Sequence, residues 1–174
     1  MNPYARIDPI VIRPIRSDDG ERLSASHARL SPESRYRRFL ATKPELTPAD
    51  VRYLVDVDGV DHVALVAARR SPEGEEIVGV ARCVRIPDRP DTGEFAIVVA
   101  DELHRQGVGT RLLATLAELA VAQGMTRFRA TMFSDNVAIR RLLTGFAVGA
   151  VTHRYRGETT EMEIRLPSAE LLAA

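Results

Sequence analysis

Apolar positions along the chain change spacing from stretch to stretch, and the changes predict the order of elements. Ile10-Val11-Ile12-Arg13-Pro14-Ile15 reads as a first strand, with Pro14 marking an edge or an end. Ser17-Asp18-Asp19 then supplies capping groups for a short helix carried by Leu23, Ala25, His27 and Leu30. A break at Ser31-Pro32-Glu33 precedes a second helical piece, Ser34 to Leu40, and Thr47-Pro48-Ala49-Asp50 opens a third through Val51, Leu54 and Val55. His62 to Ala68 is a near-continuous apolar run, expected as a buried strand, turned at Pro72-Glu73-Gly74 into an antiparallel partner over Ile77 to Val84. Pro87 to Gly93 reads as a polar loop, after which Glu94 opens a strand ending near Ala100.

Helical spacing returns at Val108, Leu112, Leu113, Leu116 and Ala120, with Gly124 as the stop. Phe128 to Met132 predicts another strand. Ser134-Asp135-Asn136 caps a helix from Val137 to about Thr144, with Ile139, Leu142 and Leu143 inward. Phe146 to Tyr155 and Thr159 to Leu166 form a closing hairpin about Gly157, and Leu171-Leu172 in the tail packs. This order predicts an α/β protein. No repeat and no composition break appears, so residues 1–174 are expected to form a single domain with its core over about 10–166.

Composition narrows the function classes. Acidic and basic residues balance at 24 each, which argues against nucleic acid or an anionic membrane as a partner. All the cationic residues except Lys43 are arginine. The one cysteine, Cys83, lies in an apolar run and is expected as core, not as a nucleophile. The absence of a spanning apolar stretch and of a leader's apolar centre points to the cytoplasm. His27, His62, His104 and His153 have no metal-ligand spacing, so no metal is expected.

The candidate chemistry lies where the strand ending at Ala100 passes through Asp101-Glu102-Leu103 and His104-Arg105-Gln106-Gly107-Val108-Gly109-Thr110 into the long helix. The first amides of a helix have no partner within it and carry the positive end of the dipole, and glycines let an anion approach them. No acid follows Gly107 in the first turn, so the turn suits a phosphate. A Walker loop is excluded by the missing Gly-Lys-Ser/Thr, and the dinucleotide fingerprint by Leu112 at its third glycine.

The stretch His104-Arg105-Gln106-Gly107-Val108-Gly109 resembles the acetyl-coenzyme A signature of the GNAT superfamily of N-acetyltransferases, Gln/Arg-x-x-Gly-x-Gly/Ala, with His104 as a mild departure. The element order is similar over almost the whole chain. Leu30-Ser31-Pro32-Glu33-Ser34-Arg35-Tyr36-Arg37-Arg38-Phe39 and Asp61-His62-Val63-Ala64-Leu65-Val66-Ala67 further resemble the Pat-type protein lysine acetyltransferases, here expected as a stand-alone catalytic domain. The resemblance implies the GNAT fold, a mixed and mostly antiparallel sheet of about six to seven strands flanked by helices. It also implies acetyl-CoA as co-substrate and an amine acceptor, possibly a protein lysine. Leu143 stands where the superfamily often carries a Tyr general acid, which this sequence therefore lacks.

The resemblance also implies roles for individual residues. Ile97 and Val99 offer backbone groups to the pantetheine arm, and Val99 N–H serves as oxyanion donor. His104, Arg105, Gln106, Gly107, Val108, Gly109 and Thr110 form the pyrophosphate turn. Asn136 either bonds the arm or only caps its helix. Glu94 shares a face with Ala96 and Val98, and burial among small apolar neighbours would raise its pKa toward that of a general base; otherwise it is a solvated strand-end charge. Ser31, Tyr36 and Phe39 either roof the acceptor site or serve surface and core packing, and Asp61 and His62 either touch the acceptor or are structural. The rival readings are a non-catalytic acyl-CoA sensor on the same fold and a small-molecule amine acetyltransferase.

Overall fold

Why one cleft forms in this molecule follows from the strand order. A computed structural model describes residues 10–172. Residues 1–9 and 173–174, where the leader expectation largely falls, lie outside the described residues. The strands are β1 (Val11–Pro14), β2 (His62–Ser71), β3 (Gly74–Ile86), β4 (Arg89–Val99), β5 (Arg127–Phe133), β6 (Thr152–Arg156) and β7 (Thr159–Arg165). They form one seven-stranded sheet in the order β1-β2-β3-β4-β5-β7-β6. Every pair is antiparallel except β4 and β5. That parallel pair is possible because helix α4 (Val108–Ala122) supplies the crossover. Its ladder is short: only Thr92, Gly93 and Glu94 are in register with Arg127, Phe128 and Arg129. Beyond them the strands diverge into a fork.

Helices cover both faces. On one, α4 buries Leu112, Leu113, Leu116, Ala117 and Ala120 against Leu65, Cys83, Phe95 and Ile97. On the other, α1 (Gly20–Arg29), α2 (Pro32–Phe39) and α3 (Pro48–Val55) set Leu23 and Leu54 against Ala64, Val66 and Val80. Gly79 sits beneath α4, where an added Cβ would stand 3.0 Å from Leu112 Cδ1. Helix α5 (Val137–Phe146) follows β5, and a short α6 (Ala169–Leu172) ends the described chain. Cys83 is fully buried, and burial pushes its thiol up to about 12, as a core residue requires.

Several local expectations are corrected. Pro87 to Gly93 is not a loop: only a tight turn separates β3 from β4, and Thr92 and Gly93 are buried in the sheet. Glu94 therefore lies in mid-strand. Phe146 ends α5 instead of opening a strand. Asp19 does not cap α1; Ser17–Asp19 form a 3-10 turn, and the fully buried Asp19 carboxylate accepts from Arg16 N–H at 2.8 Å and pairs with Arg13 at 2.7 Å. Leu171 is 65% exposed and does not pack. The Thr47–Asp50 capping box and the Gly124 stop (φ 83°) are as the sequence predicts. No helix among the described residues is long and apolar enough to cross a membrane.

Candidate active site

The fork opens into a cleft of about 950 Å³, walled by Ala96 to Val99 on β4 and Ala130 to Met132 on β5. Backbone polarity in the gap follows from the β3–β4 register. Ala100 N–H donates to Val78 O at 2.8 Å, and Gly79 faces Val99 while Ala81 faces Ile97. In an antiparallel ladder bonded and unbonded positions alternate, so Val99 and Ile97 turn their N–H and C=O groups away from β3 and toward the gap. His104 Nε2 meets Val99 O there at 3.0 Å.

At one end of the cleft the chain makes its phosphate-type turn. Arg105 and Gly107 both take left-handed φ, 60° and 80°. Such alternation turns successive amides to one concave side, and a non-glycine residue held there costs on the order of 1 kcal/mol. The first α4 backbone bond is from Arg111 N–H to Gly107 O at 3.0 Å, which leaves the amides of Val108, Gly109 and Thr110 without helical acceptors. No acid stands in the first turn, and a Cβ added at Gly107 would meet nothing within 4 Å. The cradle is open and lined by donors.

Helix α2 arches over the other face. Ser31 caps it by accepting from Ser34 N–H at 3.1 Å. The Asp101 carboxylate accepts from Ser31 N–H at 2.9 Å, Ser31 Oγ at 3.0 Å and Ser34 Oγ at 2.6 Å, pinning the helix start to the β4–α4 connection. Burial raises the Asp101 pKa, but the Ser34 and Ser31 bonds outweigh it and hold the carboxylate below its usual range. Arg37 spans the gap, gripping Asp135 at 2.9 and 3.2 Å while holding Glu33 at 2.8 Å. Asn136 accepts from Ile139 N–H at 3.3 Å, so it caps α5 and also lines the cleft.

The profile of the Acetyltransferase (GNAT) family matches residues 28–146. The chain belongs to the GNAT acetyltransferase family. Acetyltransferase Pat of Mycolicibacterium smegmatis is 30% identical over 161 residues, covering 91% of this chain but 46% of that protein. Thus the chain spans about half the length of this Pat relative. Acetyltransferase PA5475 of Pseudomonas aeruginosa is 30% identical over 157 residues, covering 90% of this chain and 83% of that one. The crystal structure of the GNAT domain of S. lividans PAT superposes with a TM-score of 0.78 at 28% identity, covering 95% of this chain and all of that one. The α/β GNAT fold and the resemblance to Pat acetyltransferases are therefore established.

Within this GNAT acetyltransferase, Ile97, Val99, His104, Arg105, Gly107, Gly109, Thr110, Asn136 and Ser31 all line the cleft. Two turn residues do not present side chains to it. Val108 is buried at 3% exposure, and the Gln106 amide turns back to Glu102 O at 2.7 Å. Glu94 departs from expectation most. Its carboxylate is 39% exposed and accepts from Arg129 Nε at 2.8 Å and Thr131 Oγ1 at 3.4 Å, because the parallel register puts Arg129 beside it. The desolvated, apolar setting predicted for it is absent, and it sits at the base of the fork, outside the cleft lining.

The roof residues are divided. Tyr36 stacks on Phe133 at 4.8 Å, and Phe39 meets His27 edge-on at 5.5 Å beside a smaller cavity. Asp61 pairs with Arg85 at 2.6 Å and is exposed. His62 meets Arg82 Nη1 at 2.9 Å. None of these four lines the main cleft. Residues that do, and that sequence reasoning passed over, include Arg37, Arg38, Asp101 and Arg141. A signal for Arg38 was present: Ser31, Ser34 and Arg38 recur at helical spacing on one face of α2.

Proposed function

We propose that the chain transfers acetyl from acetyl-CoA to a primary amine by direct attack in a ternary complex, with a protein lysine as acceptor by its similarity to the Pat acetyltransferases. The observation that carries this is the fork, which joins an amide-lined cradle at one end to a roofed opening at the other. The cradle fits a pyrophosphate: Arg105 to Thr110 turn donors into it, and Arg105 and Arg141 add positive charge beside the cleft. Acetyl-CoA would supply an acyl group on a thiol that leaves readily. Ile97 and Val99 would hold its arm through backbone groups facing the gap, and Val99 N–H would donate to the thioester oxygen. Asn136, committed to capping α5, would contribute through its position. We place the reaction in the cytoplasm and in one domain as part of the same reading.

Glu94 is proposed as general base, acting through water because its carboxylate lies at the fork's base. Arg129 orients it, two residues before Ala96 on the acceptor face. The amine nitrogen forms the bond to the acyl carbon as the carbon–sulfur bond breaks; its proton passes to Glu94, and water protonates the thiolate. Glu94→Gln is expected to lower kcat by about 10²–10⁴-fold with coenzyme A affinity nearly unaltered, and to regain part of the loss at high pH. Thiol release against a panel of amines and lysine peptides is the measurement, and a variant within twofold of wild type removes Glu94 from the mechanism. The exposure of Glu94 favours a second reading, an acyl-CoA-binding module. That reading gains if coenzyme A binds but no acceptor stimulates release.

A further inference from the structure

Partly buried arginines in this molecule are mostly paired with acids: Arg13 with Asp19, Arg37 with Asp135, Arg69 with Glu76 and Arg129 with Glu94. Among those that are not, Arg38 and Arg82 sit together. Arg82 is 5% exposed; it donates through Nη2 to Leu54 O at 3.0 Å and through Nη1 to His62 Nε2 at 2.9 Å, and its Nε has no partner. Arg38 has its guanidinium 4.9 Å from the centroid of its neighbour Phe39, and no carboxylate meets it. Burial, then repulsion from Arg38, hold Arg82 down to about 9, and burial holds Arg38 to about 10, so both stay charged at neutral pH.

Their location matters as much as their isolation. Arg82 is in register with Ala96 and therefore shares the face of Glu94, Ala96 and Val98. Arg82 lines a small cavity of about 30 Å³, and Arg38 and Val98 wall both it and the main cleft. This is the face roofed by α2, opposite α4 and its phosphate cradle. A buried cation beside a partly buried one, with no acid on either, is costly, and an anion from outside would offset that cost.

We infer that Arg38, supported by Arg82, binds a carboxylate on the acceptor, making the acceptor a carboxylate-bearing amine. The inference rests on the acetyl-transfer reading and specifies its substrate. The carboxylate has two possible sources: the acceptor's own, as in a free amino acid, or an acidic side chain beside a lysine in a protein segment. Arg38 forms the charge-assisted bonds, while Arg82, held by Leu54 O and His62, adds positive potential behind it. Neutral His62 accepts from Arg82 and leaves that charge uncancelled.

The test compares acceptors that share an ε-amine and differ in the carboxylate: Nα-acetyl-lysine against Nα-acetyl-lysinamide, and a capped lysine peptide flanked by Asp against the same peptide with Asn. A hydrogen bond to a charged group corresponds to about tenfold or more in kcat/KM, and the wild type is expected to favour the carboxylate member of one pair by that factor. The pair that discriminates names the source. Arg38→Met should bring the ratio close to one, and Arg38→Lys should retain part of it; an unfolded variant would lower both rates without moving the ratio. A wild-type ratio near one in both pairs, or a ratio unmoved in an Arg38→Met protein that melts at the wild-type temperature, overturns the proposal, and where Arg38→Met is destabilised an unmoved ratio in folded Arg38→Lys does so. If no acceptor releases thiol, calorimetric titration of the coenzyme A-loaded protein with the same pairs decides. Binding that needs the carboxylate and Arg38 upholds the site while sinking acetyl transfer, and equal binding of both members overturns the site.

Discussion

Gly109 shows how a single position can separate folding from binding. A Cβ there would lie 3.8 Å from Ile97 Cδ1 and Leu142 Cδ2, ordinary contact distances, so a side chain fits. An acid at this point of α4 would even favour the helix through its dipole. In Gly109→Asp the carboxylate would occupy the cradle and repel a phosphate. Calorimetry is expected to show acetyl-CoA affinity lowered by about 100-fold or more in a protein of unchanged melting temperature; unchanged affinity removes the pyrophosphate from this turn. Glu94 teaches the opposite lesson. Alternation correctly put it on a face with Ala96 and Val98, but its surroundings were set by Arg129 and Thr131, which lie 35 and 37 residues further along the chain. No spacing rule reaches that far.

At the scale of elements, α2 has no fully buried residue, so polar contacts join the Tyr36–Phe133 and Phe39–His27 ring contacts in fixing it over the cleft. Asp101 holds its start and Asp135 holds Arg37 on its second turn. Asp101→Ala removes the acceptor for one N–H and two hydroxyls. Amide exchange over residues 31–40 is expected to accelerate about tenfold, the loss of one net hydrogen bond, while exchange in α4 stays as it was. Equal acceleration in both helices would mean that Asp101 acts on global stability and not on the roof. The Asp101 pairing also predicts a direction with pH. Because the folded carboxylate titrates below its usual 3.8, its contribution is full above that value and fades as pH falls through the folded one.

For the whole molecule the same sign governs acid unfolding, with Asp19 the main case. Burial raises its pKa, but the bonds from Arg13 and Arg16 outweigh this, so the folded value lies below the ordinary 3.8. Its stabilisation is complete above that pH and is lost as pH falls through the folded value. Asp19→Asn leaves Arg13, 10% exposed, with only Glu75 as an acidic partner. Urea unfolding is expected to show about 3 kcal/mol lost at pH 7 and a difference from wild type that shrinks below pH 4; a pH-independent difference would mean that the ion pair is not its source. Much of this architecture was legible in the sequence because its causes are local. Capping boxes, glycine stops, apolar periods and the Gly107 turn depend on residues within a few positions of each other, and they determined the element order, the cradle and the family resemblance. The extent of β4 was not legible, because Pro90 and Gly93 read as loop while burial of Thr92 and Gly93 against neighbouring strands overrode propensity. Only the tertiary structure decided where charges are paired. Glu94 gained Arg129 through a parallel register, whereas Arg38 and Arg82, from a helix and a strand 44 positions apart, were brought together without an acid. Long-range pairing depends on which faces the sheet and its helices bring into contact, and no local pattern in the chain encodes that.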